Sequence, residues 1–558
     1  MGQVIVAAHA QGAVLNCTEG LSFWGGVDAQ TGVIIDAHHP QFGQSLAGRV
    51  VVMPTSRGSC SGSGVLLTLA MNANAPAALV FRAPEDILTL GALIATRMYD
   101  SPVAVLRLPS EEYDVLAAAE HADITETAVI ADDQMIPLAP LRRDDLSLTG
   151  KDTAMLAGEH GAPTQLAMEM ICTMAAVQGA EALLDVTCAH IDGCIYAGEA
   201  NLIFAQTMRD MGAQVVVPTT LNAISVDHAH WRSQGVPELF GTPASRLADA
   251  YTDMGAAANF TCAPYHADTP PQLGENIGWS ESNAVIYANT VLGARSVKHP
   301  DFFDLFVAMT GRAPQSGVYL TAQRAPRAVV HVVPPQGYDD AFWPLLGWAL
   351  GQLAPDYIPL VTGLAHTTPS ADDLRAVCAA FGTTSAAPML HIAGITPEAD
   401  PFSPQDLPQH VLSKRDLGRS WDALNSGPEA VDLVALGSPH FSLNETRKFA
   451  SLMSGRRCHG DTTALITFSR ATRDQAQGEG LLDVLEAAGV QTVTDLCWCS
   501  ISEPVFPPDA QALMTNSGKY AHYAPGLSGR AVRFGGLAQC ADTAVQGSAP
   551  KGLPAWLI

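Results

Sequence analysis

Segments with strand-like and helix-like patterns alternate along this chain for about 400 residues, beginning near residue 150. Short runs of β-branched and other apolar residues predict the strands, and longer stretches with helical spacing separate them. The predicted strands include residues 183–187, 214–217, 329–333, 432–436 and 465–468. This alternation predicts the α/β class, with parallel sheets covered by helices and ligand sites beyond the carboxyl ends of the strands.

The N-terminal part of the chain predicts a smaller α/β unit. Strands are expected at residues 32–36, 49–53, 78–81 and 103–106, and a helix over residues 85–98. Two prolines and a charged run from Arg142 to Asp145 then indicate a linker and the start of a helix. We therefore predict a small domain, residues 1–140, and a large multi-lobed domain, residues 141–558.

The charge balance excludes two classes of partner. The chain carries 55 Asp and Glu against 30 Lys and Arg, a formal net charge of −25. This charge repels phosphate backbones and anionic lipids, so neither a nucleic acid nor a membrane is expected. Apolar runs fall short of the roughly 18 residues of a spanning helix, and the first residues lack an export signal. We expect a cytoplasmic monomer or homodimer that acts on a small molecule.

Three of the eleven cysteines follow predicted strands. Cys262 comes after residues 256–261, and Cys497 and Cys499 come after residues 490–496. If the second segment stays extended, Cys497 and Cys499 point to the same side. Cys458 precedes a strand and should lie at the opposite edge of its sheet. Cys-x-Cys alone is a weak signal, so these thiols either ligate a metal or iron–sulfur cluster or are small buried hydrophobes.

A loop rich in serine and glycine, residues 53–66, follows a predicted strand and opens a helix. Its backbone N–H groups and the helix N-terminus favour an anion. Arg57 could pair with a carboxylate, and a serine here could serve as a base. The alternative is a turn with a helix cap. The loop lacks the Gly-Lys-Ser/Thr of a Walker phosphate loop and does not form a nucleophile elbow.

Several further polar loops follow predicted strands and are candidate ligand contacts. Each could instead cap a helix. The candidate residues in these loops are Asp192, Gly193, Thr220, Asn222, Ser517 and Lys519. Residues 278–283 and 293–295 form two more loops of this kind.

Taken together, these motifs resemble aconitase X, a branch of the aconitase superfamily, over nearly the whole chain. In the small domain, the resemblance lies in residues 25–33 and 54–63. In the large domain it lies in residues 218–222, 261–265, 279–284, 289–295, 391–398, 437–440, 494–497 and 517–523. The resemblance implies a small swivelling domain on a large catalytic domain.

The resemblance also implies an iron–sulfur-dependent hydro-lyase. The known activities of the family are dehydration of cis-3-hydroxy-L-proline, by fused chains, and of mevalonate 5-phosphate, by separate subunits. This fused chain resembles the first group, and its scarcity of Lys and Arg counts against a phosphate substrate. The serine base of the family corresponds to Ser59. For the hydroxyproline substrate that the resemblance implies, Lys519 or Arg57 would hold the carboxylate, and Asp192 could hold the ring ammonium. A cluster-free structural homologue or an RNA-binding aconitase is the alternative of another class.

One motif departs from the family. Forms with three cysteine ligands have Gly-Cys-Pro-His where this chain has Gly437-Ser438-Pro439-His440. Cys262 and Cys497 match the family, and we predict Cys499 as the replacement ligand, with Ser438 or Cys458 as alternatives. The fused branch is associated with a 2Fe–2S cluster, which is the expected cofactor.

Overall fold

The computed structural model describes residues 1–36, 39–57, 59–142, 145–267, 269–402 and 404–558. Gly58 of the Ser/Gly loop and Arg143 and Asp144 of the predicted linker lie outside the described residues. No helix in the described part of the chain is long and apolar enough to cross a membrane.

The N-terminal domain is a closed eight-stranded barrel with the strand order β1-β5-β4-β3-β2-β6-β7-β8, and parallel pairing of β8 with β1 closes it. Its elements are β1 (Gly2–Val6), β2 (Ala10–Asn16), β3 (Val50–Met53), α1 (Gly62–Met71), β4 (Ala78–Phe81), α2 (Ile87–Met98), β5 (Ala104–Arg107), α3 (Ser110–Ala117), β6 (His121–Ile124), β7 (Ala128–Ala131) and β8 (Gln134–Pro140). Residues 33 and 34 form isolated bridges instead of the predicted strand.

The first lobe of the large domain holds a parallel sheet of order β11-β10-β12 and the antiparallel pair β13-β9. Its elements are α4 (Gly150–Leu156), α5 (Ala162–Val177), β9 (Leu183–Asp185), β10 (Ala189–Ile191), α6 (Glu199–Asp210), β11 (Thr219–Leu221), α7 (Glu238–Asp253), β12 (Gly278–Trp279), α8 (Ser282–Tyr287), α9 (Phe303–Thr310) and β13 (Arg312–Pro314).

The second lobe contains a parallel four-stranded sheet of order β16-β15-β14-β17. Its elements are β14 (Ala328–Val332), α10 (Phe342–Leu353), β15 (Pro359–Thr362), α11 (Ala371–Thr384), β16 (His391–Ile392), β17 (Gln409–Leu412) and α12 (Lys414–Ala423). The crossover helices cover the sheet, as parallel pairing requires.

The third lobe contains a parallel five-stranded sheet of order β20-β19-β18-β21-β22. Its elements are β18 (Leu433–Leu436), α13 (Leu443–Met453), β19 (Thr463–Phe468), α14 (Arg470–Gly478), α15 (Leu481–Ala487), β20 (Val490–Thr494), β21 (Ala512–Thr515), α16 (Gly518–Ser528), β22 (Ala531–Phe534) and α17 (Leu537–Gln546). The predicted α/β class with parallel sheets is confirmed.

Two predicted strands of the large domain are wrong. Residues 214–217 are irregular, because Val215 and Val216 donate their N–H groups to the ends of helices, at Met254 and Ala308, instead of to a strand. Residues 256–261 form only an isolated bridge, between Ala257 and Thr220. The prediction from apolar composition therefore gave the first lobe more strands than it has.

One hydrophobic cluster joins the small domain to the first lobe. It contains Leu66 and Leu93 on the outer helices of the barrel, and Phe204 and Phe302 of the large domain, all of them buried. Because this apolar surface is shared, the loop before α1 is held against the large domain. The interface between the two domains is therefore the place to look for a site.

Candidate active site

A cavity of about 750 Å³ lies where the small domain meets the large domain. Both domains contribute polar side chains to its wall, and the large domain also contributes thiols. The lining residues with hydroxyl, carboxylate, amide, amine or thiol groups include Ser59, Ser61, Asp192, Asn222, Cys262, Glu281, Asn283, Cys497, Cys499, Lys519 and Tyr523. Seven of the eleven residues that the sequence singles out as site residues therefore line one cavity.

Ser59 reaches this cavity from the loop between β3 and α1. The Ser61 N–H donates to Ser59 Oγ at 3.3 Å, and the two hydroxyl oxygens lie 3.4 Å apart. The Gly62 N–H, at the start of α1, donates to the Ser59 carbonyl oxygen at 3.2 Å. The Ser59 hydroxyl thus lies at a helix N-terminus and accepts an N–H, an environment that favours negative charge on its oxygen.

Three contacts fix this loop to the large domain. The Cys60 thiol donates to Asp192 Oδ2 at 2.9 Å, and the Asp301 N–H donates to the Cys60 carbonyl oxygen at 3.4 Å. Ser63 Oγ lies 3.3 Å from the Asp301 carbonyl oxygen, to which it donates. Sequence analysis did not anticipate Cys60 or Asp301, because only the approach of the two domains brings them together.

Asp192 follows β10 and presents its carboxylate to the cavity. Asn222, after β11, donates a side-chain hydrogen bond to Asp192 Oδ1. The Asp192 N–H donates to Asp304 Oδ2 at 2.7 Å, and this hydrogen bond anchors the loop that carries Asp192. Burial, and then the nearby charge of Glu281, raise the pKa of Asp192 to about 6. Asp192 is therefore an anion at neutral pH and loses its charge in mild acid.

Glu281 and Lys519 form an ion pair on the cavity wall. Lys519 Nζ lies 2.7 Å from Glu281 Oε1, and Glu281 Oε2 accepts the Ala284 N–H at 2.8 Å, which caps α8. Burial is the largest effect on Lys519 and opposes its charged form, but the Glu281 carboxylate and the three nearby cysteines together raise its pKa well above the usual value. Glu281 was not predicted individually. Its position after β12, inside the predicted loop 278–283, was the available signal.

The three thiols lie together in the same cavity. Cys262, Cys497 and Ala223 form a small buried cluster, with Cys499 packed against it. Hydrogen bonds from the Cys262 and Cys499 thiols are the first two causes of a lowered pKa at Cys497. The His440 N–H donates to Cys262 Sγ at 3.3 Å. This donor set of converging thiols suits iron.

The reason for this convergence differs from the predicted one. Cys262 does not end a strand, and residues 498–500 form a turn in which the Ser500 N–H donates to the Cys497 carbonyl oxygen at 2.9 Å. The same-side argument for an extended Cys497–Cys499 segment is therefore wrong. The turn brings the two side chains to one site instead.

Models of four aconitase X domains match the chain in order. The swivel domain matches residues 1–132, the first domain 145–322, the second 326–422 and the third 431–546. The chain belongs to the aconitase X family. Within this family, its similarity to curated proteins extends from end to end.

Two curated members are similar to this aconitase X chain over its whole length. Cis-3-hydroxy-L-proline dehydratase of Pseudomonas aeruginosa is 48% identical, with 100% of this chain and 98% of that protein covered. The protein of the same name from Hypocrea jecorina is 44% identical, with 100% of this chain and 97% of that protein covered.

Separate-subunit relatives match less of the aconitase X chain. The phosphomevalonate dehydratase large subunit of Methanothermobacter thermautotrophicus is 34% identical, with 67% of this chain and 93% of that protein covered. The crystal structure of Thermococcus kodakaraensis aconitase X in its holo form superimposes with a TM-score of 0.65 at 27% identity. The superposition covers 72% of this chain and 100% of the Thermococcus chain.

In this aconitase X, His440 connects the two segments that carry Cys262 and Cys497. Its Nε2 lies 2.6 Å from the Leu496 carbonyl oxygen and therefore carries the proton. Its Nδ1 lies 3.3 Å from Thr261 Oγ1. Burial lowers the pKa of His440, so the ring is neutral. The histidine of the Gly-Ser-Pro-His motif thus positions both thiols.

The two alternative third ligands lie in different places. Ser438 is buried, and its hydroxyl has no hydrogen-bond partner in the described ranges. Its motif adjoins Cys262 through His440. Cys458 packs in a separate hydrophobic cluster of the third lobe, ahead of β19. The structure brings Cys499, and not Cys458, to the other two thiols.

Four predicted substrate contacts do not line the cavity. Arg57 lies outside it, paired with Glu19 at 3.5 Å and Asp36 at 3.3 Å. Gly193 donates its N–H towards Asp304, and Thr220 Oγ1 lies 2.8 Å from Nδ1 of His190. Ser517 accepts the Tyr520 N–H at 3.0 Å and caps α16.

Gly437→Ala should damage the site through the backbone. Gly437 has a φ of 102°, and an added Cβ would lie 2.1 Å from the Thr467 carbonyl oxygen. We expect the thermal unfolding midpoint to fall by about 5–10 °C, with loss of bound iron. Gly478→Ala is the control, because its Cβ would meet nothing within 4 Å. Equal unfolding midpoints for the two variants would contradict this prediction.

Proposed function

We propose that this chain is a hydro-lyase that dehydrates cis-3-hydroxy-L-proline to 1-pyrroline-2-carboxylate. The observation that carries the proposal is the end-to-end similarity to two curated dehydratases of that name. The cavity agrees with it, because Ser59 of the swivel domain faces polar groups of the catalytic domain there.

The stereochemistry of the substrate explains why catalytic groups are needed on two opposite sides of the cavity. In the cis isomer, the hydroxyl and the carboxylate share one ring face, so the Cα proton lies on the opposite face. The base and the group that assists the departing hydroxyl must then act from opposite sides. Ser59 comes from the small domain and the thiols come from the large domain, an arrangement suited to this anti elimination.

Ser59 is the proposed base. A serine hydroxyl is a weak base, so its alkoxide must be stabilised by its surroundings. The Ser61 N–H, 3.3 Å from Ser59 Oγ, and the N-terminus of α1 supply positive potential. Ser59 would take the Cα proton, and loss of the C3 hydroxyl as water leaves an enamine. The enamine tautomerises to the cyclic imine.

The thiols fit the iron–sulfur cofactor that the family suggests. Cys262, Cys497 and Cys499 would hold the cluster, and 2Fe–2S is the type we propose. When bound, its iron would supply a Lewis acid that weakens the bond to the leaving hydroxyl. Asp192 would hold the ring ammonium of the substrate, with Asn222 fixing the orientation of its carboxylate.

The alternative functions are less well supported. Lys519 is the only cationic side chain on the described cavity wall, and Glu281 neutralises it, whereas a phosphate would need several cations. The net charge of −25 counts against an RNA-binding function. A cluster-free structural protein would have no use for three converging thiols, two of them buried. The cytoplasmic location and the monomeric or homodimeric state stay predictions.

The deciding experiment is a substrate screen. Protein purified without oxygen is given cis-3-hydroxy-L-proline, trans-3-hydroxy-L-proline, trans-4-hydroxy-L-proline and mevalonate 5-phosphate, and dehydrated products are detected by mass spectrometry. We expect turnover of the cis-3 isomer and at least about 100-fold less of the others, since misplacing one reacting group costs that much. Preferred turnover of mevalonate 5-phosphate would refute the proposal, and near-zero iron in folded, inactive protein would favour the structural alternative.

The pH profile should show the titration of Asp192. Because the pKa of Asp192 is raised to about 6, its carboxylate is protonated below that pH and can no longer hold an ammonium group. We expect kcat/KM to fall about tenfold per pH unit in this acidic range. Asp192→Asn should remove this limb and lower the plateau by about 100-fold. An unchanged acidic limb in Asp192→Asn would assign the titration to another group.

A further inference from the structure

Cys60 lies between two serines of the cavity wall, but its side chain is directed into the large domain. Ser59 and Ser61 line the cavity, whereas Cys60 does not. The Cys60 residue is 2% exposed, and its thiol reaches Asp192 across the domain interface. Cys60 is therefore the residue through which the loop of the proposed base contacts the catalytic domain by a side chain.

The thiol contacts two loops that supply acids to the cavity. Its Sγ lies 2.9 Å from Asp192 Oδ2, in the loop after β10, and 3.7 Å from the carbonyl oxygen of Ser280, in the loop after β12. Ser280 directly precedes Glu281, which lines the cavity. Because β10 and β12 pair in parallel, the two loops leave the same edge of the sheet. The Cys60 thiol thus lies at the sheet edge from which the cavity acids project.

The Cys60 thiol is a hydrogen-bond donor in this contact. Burial, followed by the charges of Asp192 and Asp301, raises the pKa of Cys60 well above its usual value, so the thiol keeps its proton at neutral pH. Asp192 is an anion at that pH, because its pKa is about 6. An S–H group is a weak donor, but a hydrogen bond to a carboxylate is strengthened by the charge of the acceptor.

Cys60 and Asn222 together fix the Asp192 carboxylate. Asn222 donates to Oδ1, and Cys60 donates to Oδ2. An ionised carboxylate has about four lone-pair sites, so about two stay free for a ligand. The ring ammonium of a cyclic amino acid is secondary and carries two N–H donors. The number of free acceptor sites therefore matches the number of donors that the substrate offers.

We propose that Cys60 is a positioning residue, whose thiol orients the Asp192 carboxylate for the ring ammonium of the substrate. This role rests on the proposed function and on the assignment of Asp192 within it. The Cys60 backbone is held independently, since its carbonyl oxygen accepts from the Asp301 N–H at 3.4 Å and from Ser63 Oγ at 3.0 Å. A change of the side chain therefore leaves these two bonds to the loop in place, and the contribution of the thiol can be measured separately.

The test compares Cys60→Ala with Cys60→Ser in the holoenzyme. Cys60→Ala removes the donor, whereas Cys60→Ser keeps an O–H group in its place. We expect Cys60→Ala to raise KM for cis-3-hydroxy-L-proline by about 10- to 100-fold, with a smaller change in kcat. Cys60→Ser should stay within about fivefold of the wild type. Cys540→Ala removes a buried thiol from the third lobe and is the control, which should leave both constants unchanged.

The pH profile separates this role from a merely structural one. A hydrogen-bond donor stabilises the charged form of a carboxylate, so loss of the thiol should raise the midpoint of the acidic limb from about pH 6 by about one unit. Cys60→Ala leaves in place the other charged groups near Asp192, which are Glu281, Lys298, Asp301, Asp304 and Lys519. An unmoved midpoint in Cys60→Ala, or the same shift in Cys540→Ala, would overturn the proposal.

Two unreactive ligands show whether the thiol acts through the ammonium group. L-proline carries the ring ammonium, and tetrahydrofuran-2-carboxylate has an ether oxygen in its place. In Cys60→Ala, inhibition by L-proline should weaken by the same factor as KM rises, while any inhibition by tetrahydrofuran-2-carboxylate stays unchanged. Equal weakening of both ligands, or failure of Cys60→Ser to restore L-proline binding, would show that Cys60 only supports the fold.

L-proline also keeps this proposal distinct from the proposed function. If the wild-type protein binds L-proline in calorimetry but does not dehydrate the cis-3 isomer, the proposed function fails and Cys60 is still tested through L-proline. If the wild-type protein neither binds L-proline nor dehydrates the cis-3 isomer, both proposals are overturned.

Discussion

Ser59→Ala is expected to abolish dehydration while leaving the fold and the bound iron intact. Removal of a general base slows a reaction by about 10²–10⁴-fold, and the upper end is expected where the proton to be removed is as weakly acidic as this one. The hydroxyl of Ser59 contacts only its neighbour Ser61 among the described residues, so the stability cost should stay near 1 kcal/mol. The measurements are kcat, thermal unfolding and iron content.

Ser61→Ala provides the matched comparison for Ser59→Ala. It removes a hydroxyl from the same loop and the same cavity wall, but the Ser61 backbone N–H still reaches Ser59 Oγ. We expect a loss of about tenfold or less in kcat. If Ser59→Ala retained a tenth of the wild-type rate, Ser59 could not be the base.

Cys262→Ala and Cys497→Ala should each lose iron and activity together. Both thiols are buried in the cluster around Ala223, and each would supply one cofactor bond that no other side chain there replaces. We expect bound iron below about a tenth of the wild-type level, since loss of one thiolate ligand costs several kcal/mol of metal binding. Metal analysis and absorption spectra of anaerobic protein measure the effect.

Cys458→Ala is the control for the cysteine variants. Cys458 packs in the third lobe, away from the cavity, so the variant should keep both iron and activity. Full iron in Cys262→Ala, or loss of iron in Cys458→Ala, would contradict the proposed ligand set.

The third ligand can be tested separately. Cys499→Ala should lose iron as Cys262→Ala does, because Cys499 packs against the other two thiols. Ser438→Cys adds a thiol at a buried position whose hydroxyl has no partner among the described residues, and it should alter the absorption and electron-spin spectra. Normal iron in Cys499→Ala would make Ser438 the candidate ligand.

Much of the candidate site could be anticipated from loops that follow predicted strands. Asp192 and Asn222 lie in two such loops, although the strands that directly precede them, β10 and β11, were not predicted. Parallel pairing of β10 and β11 places both residues at one sheet edge. Glu281, which lines the cavity, was missed. Glu281 could not be distinguished from a helix cap, a role it also fills.

The sequence by itself determined the α/β class and most of the strands that were predicted from it, because hydrophobic periodicity and turn residues act over a few neighbouring positions. Residues 78–81, for example, form β4 as predicted. The family motifs likewise depend on local order along the chain. Tertiary structure alone decided which of these local elements meet. It paired Arg57 with Glu19 outside the cavity, joined Cys60 to Asp192 and gathered three thiols through a turn. Such contacts depend on domain packing between residues far apart in sequence, which no local pattern encodes.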